Sequence, residues 1–275
     1  MKAKRSPHHE LAARTIEDFG EQWTNFSDTS GFFGSSELLA DFIQPFDMRK
    51  FAGARVADIG AGTGRHIQGL LDAGATEVLA VEPSKAIEVI RRGFAQRPNV
   101  RTMNIAGANL PRDSDLDYAI SVGVVHHIPE PAPVIRAVYE ALKPGGQFVV
   151  WLYGKEGNRL YLTLVTPIRW FSRKLPLRAL DVLARMLDVP LAAYIAICRR
   201  ASWPGLPLRD YMVNILGRLP SAKRRLVIYD QLNPHYARYY TRAEAIALMA
   251  QAPFEVEAHH RRGYSWVVIG TKPRR

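Results

Sequence analysis

The chain has 275 residues, with 37 Lys plus Arg against 26 Asp plus Glu and a formal charge of +11 at pH 7. At 47% hydrophobic and 23% charged residues, it can bury a full core in one large domain or one domain carrying an insertion, which excludes wholesale disorder and a fibrous repeat. The single cysteine, Cys198, excludes an internal disulfide and a thiolate zinc cluster, so no metal site is expected and a reducing, cytoplasmic setting fits.

The first ten residues are basic but lead into no apolar signal region. The longest charge-free stretch of the apolar middle, Val189–Cys198, falls far short of the roughly 20 residues that a spanning helix needs. A chain neither secreted nor transmembrane is expected. The charge is unevenly placed: residues 1–154 hold 16 basic and 18 acidic side chains, residues 155–240 hold 15 and 5, and residues 241–275 hold 6 and 3. The middle segment is therefore the part that attracts anions, whether nucleic acid, an acidic membrane surface or a phosphorylated substrate.

In chain order, Phe19, Trp23 and Phe26 stand at helical spacing, and residues 1–53 read as an N-terminal helical cap. From Ala54, short β-branched runs alternate with helical stretches. Arg55–Ile59 reads as a strand, Gly60–Gly64 as a tight loop, His66–Ala73 as a helix and Glu77–Val81 as a second strand. Ser84 reads as the N-cap of a helix through Ala95, Val100–Ile105 as a third strand and Asp117–Val122 as a fourth. A helix over Pro133–Leu142 stops at Lys143-Pro144-Gly145-Gly146, and Gln147–Tyr153 is a fifth strand. This alternation predicts a parallel, doubly wound α/β sheet over residues 54–154.

The rhythm breaks at Gly154. Residues 155–240 read as a basic helical insertion cut by prolines at 167, 176, 190, 204 and 207, with one strand expected at Leu226–Tyr229. Within it Leu177, Leu180, Leu183 and Leu187 form an apolar stripe, and Arg178, Asp181, Arg185 and Asp188 a charged one. Residues 241–275 return to the α/β pattern: Thr241 and Glu244 have capping-box spacing, and Phe254–His260 and Tyr264–Thr271 read as a hairpin on the sheet edge.

The sharpest local feature is Val56-Ala-Asp-Ile-Gly60-Ala-Gly62-Thr-Gly64-Arg65-His66. Glycines let the backbone turn sharply and approach a ligand, but a dinucleotide fingerprint would need glycine at the position of Arg65. With Asp58 two residues ahead, this loop suits a ligand bearing a cation better than a pyrophosphate. Glu82, at the end of the second strand, can accept both hydroxyls of a ribose. Either acid alone could be a solvated loop residue; together they favour a nucleoside-like ligand.

Four blocks then carry a resemblance: Val56 to His66; Val78-Leu-Ala-Val-Glu-Pro-Ser84; Leu116-Asp-Tyr-Ala-Ile-Ser-Val-Gly-Val-Val-His-His-Ile-Pro-Glu-Pro131; and Leu142-Lys-Pro-Gly-Gly-Gln-Phe-Val-Val-Trp151. In order and spacing the chain resembles the class I S-adenosylmethionine-dependent methyltransferases of small-molecule type. The resemblance implies a doubly wound, mostly parallel seven-stranded sheet, the Rossmann-like methyltransferase fold, with an antiparallel last strand and here a helical insertion after strand 5. It implies S-adenosyl-L-methionine as cofactor, the methionine moiety held by Asp58 and the backbone of Gly60, Ala61, Gly62 and Gly64, and the ribose by Glu82. The loop after the third strand departs from the acidic residue usual near the adenine, so Asn109 or a backbone carbonyl is expected there.

His126 and His127 follow the fourth strand, where the resemblance puts substrate-facing groups. A neutral imidazole can take a proton from a hydroxyl as a methyl group arrives, and the alternative is a ring that packs near the cofactor. Comparable N-terminal segments cover the cofactor, so Trp23 and Phe26, with Phe32 and Phe33, could close the pocket. Asn233-Pro-His-Tyr236 is read as a turn, since the similar element of amino-group methyltransferases follows the fourth strand instead. Cys198, inside the insertion, is poorly placed as a nucleophile.

The expected activity is methyl transfer to a small-molecule, lipid or glycan-type acceptor, at oxygen. The alternatives are an RNA or DNA methyltransferase and a non-catalytic, membrane-associated module retaining the fold. The insertion is expected to overhang the C-terminal edge of the sheet and shape the substrate pocket. Its cations either are simply solvated or meet an anionic membrane through residues 155–230, which would make the protein peripheral to the inner face of a membrane. Nucleic acid is disfavoured by the lack of an appended RNA-binding module and of an aromatic stacking platform.

Overall fold

In a computed structural model, residues 7–25, 27–172, 175–200, 205–232 and 236–274 are described. The β-branched runs form the strands β1 (Arg55–Ile59), β2 (Glu77–Val81), β3 (Val100–Met103), β4 (Leu116–Val122), β5 (Leu142–Tyr153), β6 (Glu255–Arg261) and β7 (Ser265–Thr271). They make one sheet in the order β3-β2-β1-β4-β5-β7-β6, parallel from β3 to β5, with β7 antiparallel to both β5 and β6. This is the seven-stranded methyltransferase topology. Reversal of strand order between β1 and β4 places the crevice beyond their C-terminal ends, the usual ligand position in such sheets.

The flanking helices are α1 (Pro7–Asn25), α2 (Ser36–Ile43), α3 (Ile67–Asp72), α4 (Ile87–Gly93) and α5 (Ala132–Ala141). The sheet core combines Ile59, Val81, Ala119, Phe148 and Val150 with Val138 of α5 and Val268 of β7, all buried. Each Val, Ile or Phe side chain among them contributes about 1.5–3 kcal/mol on burial. Ser84 does not cap α4 directly. Its hydroxyl accepts the Ala86 N–H at 3.2 Å in a turn ahead of the helix, so the helix begins later than expected.

The C-terminal hairpin lies on the sheet edge, as expected, with its second strand inward. β6 is the edge, and β7 is driven between it and β5. The burial explains it: β7 is buried at every position from Ser265 to Gly270, as an interior strand requires, whereas β6 alternates.

The chain divides into two compact units. The first holds residues up to Gly154, Tyr236–Arg261 and Ser265–Arg275 and contains the sheet; its late helix α10 (Arg242–Met249) starts with the complete Thr241/Glu244 capping box. The second holds Lys155–His235 with Arg262–Tyr264 and is helical: α6 (Arg159–Ser172), α7 (Leu177–Arg200), α8 (Arg209–Asn214) and α9 (Ser221–Leu232).

The strand expected at Leu226–Tyr229 is instead part of α9. A β-branched run reads as strand locally, but Lys223, Leu226, Tyr229 and Leu232 are buried at a spacing of three, and this helical face packs with Val165, Leu180 and Ala184. Asp188 of α7 is tied to α9 by Arg224, at 2.8 Å, and by the Ser221 hydroxyl, at 2.5 Å. Of the charged stripe on α7, Arg185 pairs with Asp181 at 2.9 Å, while the Arg178 side chain, like Phe26 and Asn233–His235, lies outside the described residues.

Candidate active site

β1 is flanked by β2 and β4, with Asp58 paired to Ala80 and Ile120, so the carboxyl emerges from the middle of the sheet. Asp58 is 1% exposed, and its Oδ2 has no hydrogen-bond partner. Burial pushes its pKa up to about 7 against the opposing pull of the Arg65 guanidinium, and the Glu82 carboxylate adds to the rise.

The glycine loop that follows is held by the sheet. The Gly60 and Ala61 N–H groups both donate to the Val81 carbonyl, at 2.8 and 3.1 Å. Gly60 has φ +80°, and a Cβ there would stand 2.4 Å from Cγ1 of Val124. Gly62, at φ +55°, donates its N–H to Glu82 Oε2 at 2.9 Å, while Glu82 Oε1 accepts the Ser84 N–H at 3.0 Å. Two backbone donors thus fix the Glu82 carboxylate.

α1 crosses this loop. A Cβ on Gly62 would lie 3.7 Å from the Trp23 indole, and one on Gly20 only 2.8 Å from the Ser84 Cβ, so glycine at position 20 permits the close approach. Phe33 is buried beneath Arg65, whose guanidinium lies 4.7 Å from its ring and 5.8 Å from that of Phe42. Arg65 also stands 3.1 Å from His66 Nε2, and burial, then Arg65, holds His66 well below the usual imidazole range. Asn109 ends a short turn whose Gly107 packs tightly on Ile59, and its side chain is exposed.

His126 and His127 lie in a turn after β4, next to Val124, the residue that abuts Gly60. Both rings are buried, with centroids 4.4 Å apart. His127 Nδ1 is 2.8 Å from the Tyr236 carbonyl, which can only accept, so Nδ1 carries a proton, and in the neutral ring the lone pair is on Nε2. His126 lies 3.8 Å from the Tyr153 ring, which stacks on Tyr239 at 5.1 Å, and Phe19 of α1 flanks His127 at 4.9 Å. The fold therefore gathers Asp58, Gly60–Gly64 and Glu82 at one place, with the His pair beside it.

Residues 56–146 match the family model described as a methyltransferase domain. Over these residues the sheet-bearing unit is similar to methyltransferase domains. Curated relatives of the chain include a tRNA U34 carboxymethyltransferase of Idiomarina loihiensis, 26% identical over 48% of this chain and 43% of that protein. An uncharacterized methyltransferase of Mycobacteroides abscessus is 29% identical over 50% of this chain and 57% of that protein. The chain thus spans about half the length of these curated relatives. In fold it is similar to the Burkholderia thailandensis 1,6-didemethyltoxoflavin-N1-methyltransferase, solved with 1,6-didemethyltoxoflavin and S-adenosylhomocysteine, at TM-score 0.55 and 16% identity, covering 99% of this chain and 93% of that one.

Several members of the site escape sequence reasoning. Phe33 was named as a residue that could close the pocket, but its stacking with Arg65 and Phe42 joins segments far apart in the chain and leaves no local pattern. Trp151 and Tyr153 did leave one, since their i,i+2 spacing on β5 puts both on one face with the His pair.

Proposed function

We propose that this protein transfers a methyl group from S-adenosylmethionine to an oxygen of a small-molecule, lipid or glycan-type acceptor. The observation that carries the reading is Asp58: a buried carboxyl with one oxygen unpartnered, at the mouth of a glycine turn where a Cβ would strike Val124. Such a group is costly unless a cation meets it. S-adenosylmethionine supplies, when bound, an electrophilic methyl on a cationic sulfur and an ammonium group on its amino-acid tail.

In this reading Asp58 faces the cationic end, and the backbone of Gly60, Ala61, Gly62 and Gly64 lies along the methionine moiety. Glu82 takes the ribose hydroxyls: a carboxylate offers about four acceptor sites, and the Gly62 and Ser84 N–H groups use two. Asn109 borders the adenine, and Trp23 excludes water. His127, oriented by the Tyr236 carbonyl with Nε2 as its basic nitrogen, takes the acceptor's proton, and His126 is the alternative base.

The test combines binding with turnover. S-adenosylhomocysteine at saturation is expected to raise the melting temperature. With labelled S-adenosylmethionine and a panel of phenols, hydroxylated lipids and sugars, His127→Ala is expected to lose about 10²–10⁴-fold in turnover with cofactor affinity retained. Undiminished turnover in both His127→Ala and His126→Ala removes the base assignment.

A second reading, an RNA acceptor, is favoured by the similarity to the tRNA U34 carboxymethyltransferase of Idiomarina loihiensis. It predicts label in a tRNA arm of the same assay and none in the small-molecule arms.

A further inference from the structure

We propose that the second unit docks on an anionic lipid bilayer surface through the outward faces of α6 and α7. Each helix already buries one face, α6 through Val165 and Ser172, and α7 through Leu180, Ala184, Ile195 and Cys198. A helix that packs on one side normally turns charged side chains to water on the other. These two do not.

On α6, Leu160, Leu164, Ile168 and Phe171 recur at spacings of four, four and three, which makes one exposed stripe. On α7, Val182, Met186, Val189 and Ile197 make another. Phe171 is 58% exposed, Met186 66% and Val189 71%, and Trp170, at 66%, stands beside the first stripe. Scattered exposed apolar residues are ordinary, but aligned large ones mark a surface that is covered in use.

Charge selects the occupant. The segment 155–240 carries 15 basic and 5 acidic side chains, and Arg159, Arg185 and Arg200 stand exposed on the same two helices. A second copy of the chain would cover the stripes but bring two strongly cationic units face to face. A nucleic acid would meet the cations and leave the stripes in water. An anionic bilayer satisfies both, with head groups toward the arginines and acyl boundary toward Leu, Phe, Met and Val, and tryptophan at the depth it favours. Among the described residues no helix is long and apolar enough to cross a membrane, so the contact lies along the surface.

The test is co-sedimentation of the full chain with phosphatidylcholine vesicles with and without phosphatidylserine. Binding is expected only with phosphatidylserine, and is expected to fall steeply in about 1 M salt, where screening shortens to about 3 Å. Leu164→Gln/Phe171→Gln and Met186→Gln/Val189→Gln keep the net charge and alter only exposed positions. Each is expected to weaken vesicle binding about tenfold or more, while the melting-temperature shift given by S-adenosylhomocysteine stays unchanged. A blue shift of emission on vesicle binding is expected to vanish in Trp170→Phe.

Equal binding by wild type and both double variants overturns the proposal, as does equal binding to neutral and anionic vesicles or none to either. So does a dimer, seen by light scattering, that the double variants convert to monomer. Cofactor binding is read separately, so failure here leaves the methyltransferase reading standing, and the reverse.

Discussion

The Gly62 N–H donates to Glu82 Oε2 at 2.9 Å, tying the loop after β1 to the end of β2. The same carboxylate accepts the Ser84 N–H through its other oxygen, so one side chain sets both the glycine turn and the entry to α4. Glu82→Gln retains shape but presents an NH₂ to one of these donors. An unsatisfied buried donor costs about 1–3 kcal/mol, so affinity for S-adenosylhomocysteine is expected to fall about tenfold to a hundredfold by calorimetry. An unchanged dissociation constant would show that Glu82 is only a loop brace.

Asp58 makes stability depend on pH in an unusual direction. Its folded-state pKa of about 7 lies above the ordinary 3.8, because burial favours the neutral acid. The folded chain therefore holds this proton more tightly than the unfolded chain, and stability falls as pH rises from about 4 to about 7, by up to about 4 kcal/mol, then levels. Asp58→Asn is expected to be the more stable protein at pH 8 without ligand, with the advantage vanishing near pH 4 in urea titrations. Wild-type affinity for S-adenosylmethionine is expected to rise with pH up to about 7. A pH-independent difference between the two proteins would refute the assignment.

Two glycines separate strain from collision. At Gly53, φ +75°, an added Cβ would have nothing within 4 Å, whereas at Gly60, φ +80°, that atom would meet Val124 at 2.4 Å. Gly53→Ala is expected to cost about 1–2 kcal/mol of backbone strain. Gly60→Ala adds a displacement of Val124 and its neighbours His126 and His127, so it is expected to cost more and to weaken cofactor binding as well. Equal losses in urea unfolding would mean that the loop relaxes without moving Val124.

In the second unit, Asp188 is held below the usual carboxylate range: burial pulls upward, but bonds from Arg224 and Ser221, with Arg225 nearby, outweigh it. A depressed folded value contributes stability above the unfolded pKa of about 3.9 that is lost as pH falls below it. Arg224→Met strands the acid and is expected to destabilise this unit by about 3 kcal/mol, with Asp188→Leu/Arg224→Met recovering most of it. Hydrogen exchange confined to residues 155–232 would localise the effect. A uniform rise across the sheet would contradict it.

The strands were legible where a residue's partners are written nearby. β1 and β2 have the bounds expected, because parallel strands buried on both faces need near-continuous apolar runs, here Val78–Val81 in β2 and, broken only by Asp58, Val56–Ile59 in β1. The capping box at Thr241 and Glu244 is local chemistry and was legible for that reason. Leu226–Tyr229 misled because strand propensity is weak beside the helical burial of Lys223, Leu226, Tyr229 and Leu232. The acids of the site could be named from their strand ends, but not the 1% exposure that lifts Asp58, nor the Tyr236 carbonyl that selects the His127 tautomer, since both depend on segments distant in the chain.

The place of β7 bears on how the molecule is made. β5 pairs with Ser265–Thr271 from Gln147 to Tyr153, yet the helical second unit is synthesised between them. A sheet without β7 would end on Phe148-Val149-Val150-Trp151, an unpaired apolar border open to another chain's strand. β7, made only after the helical second unit, is the strand that seals it.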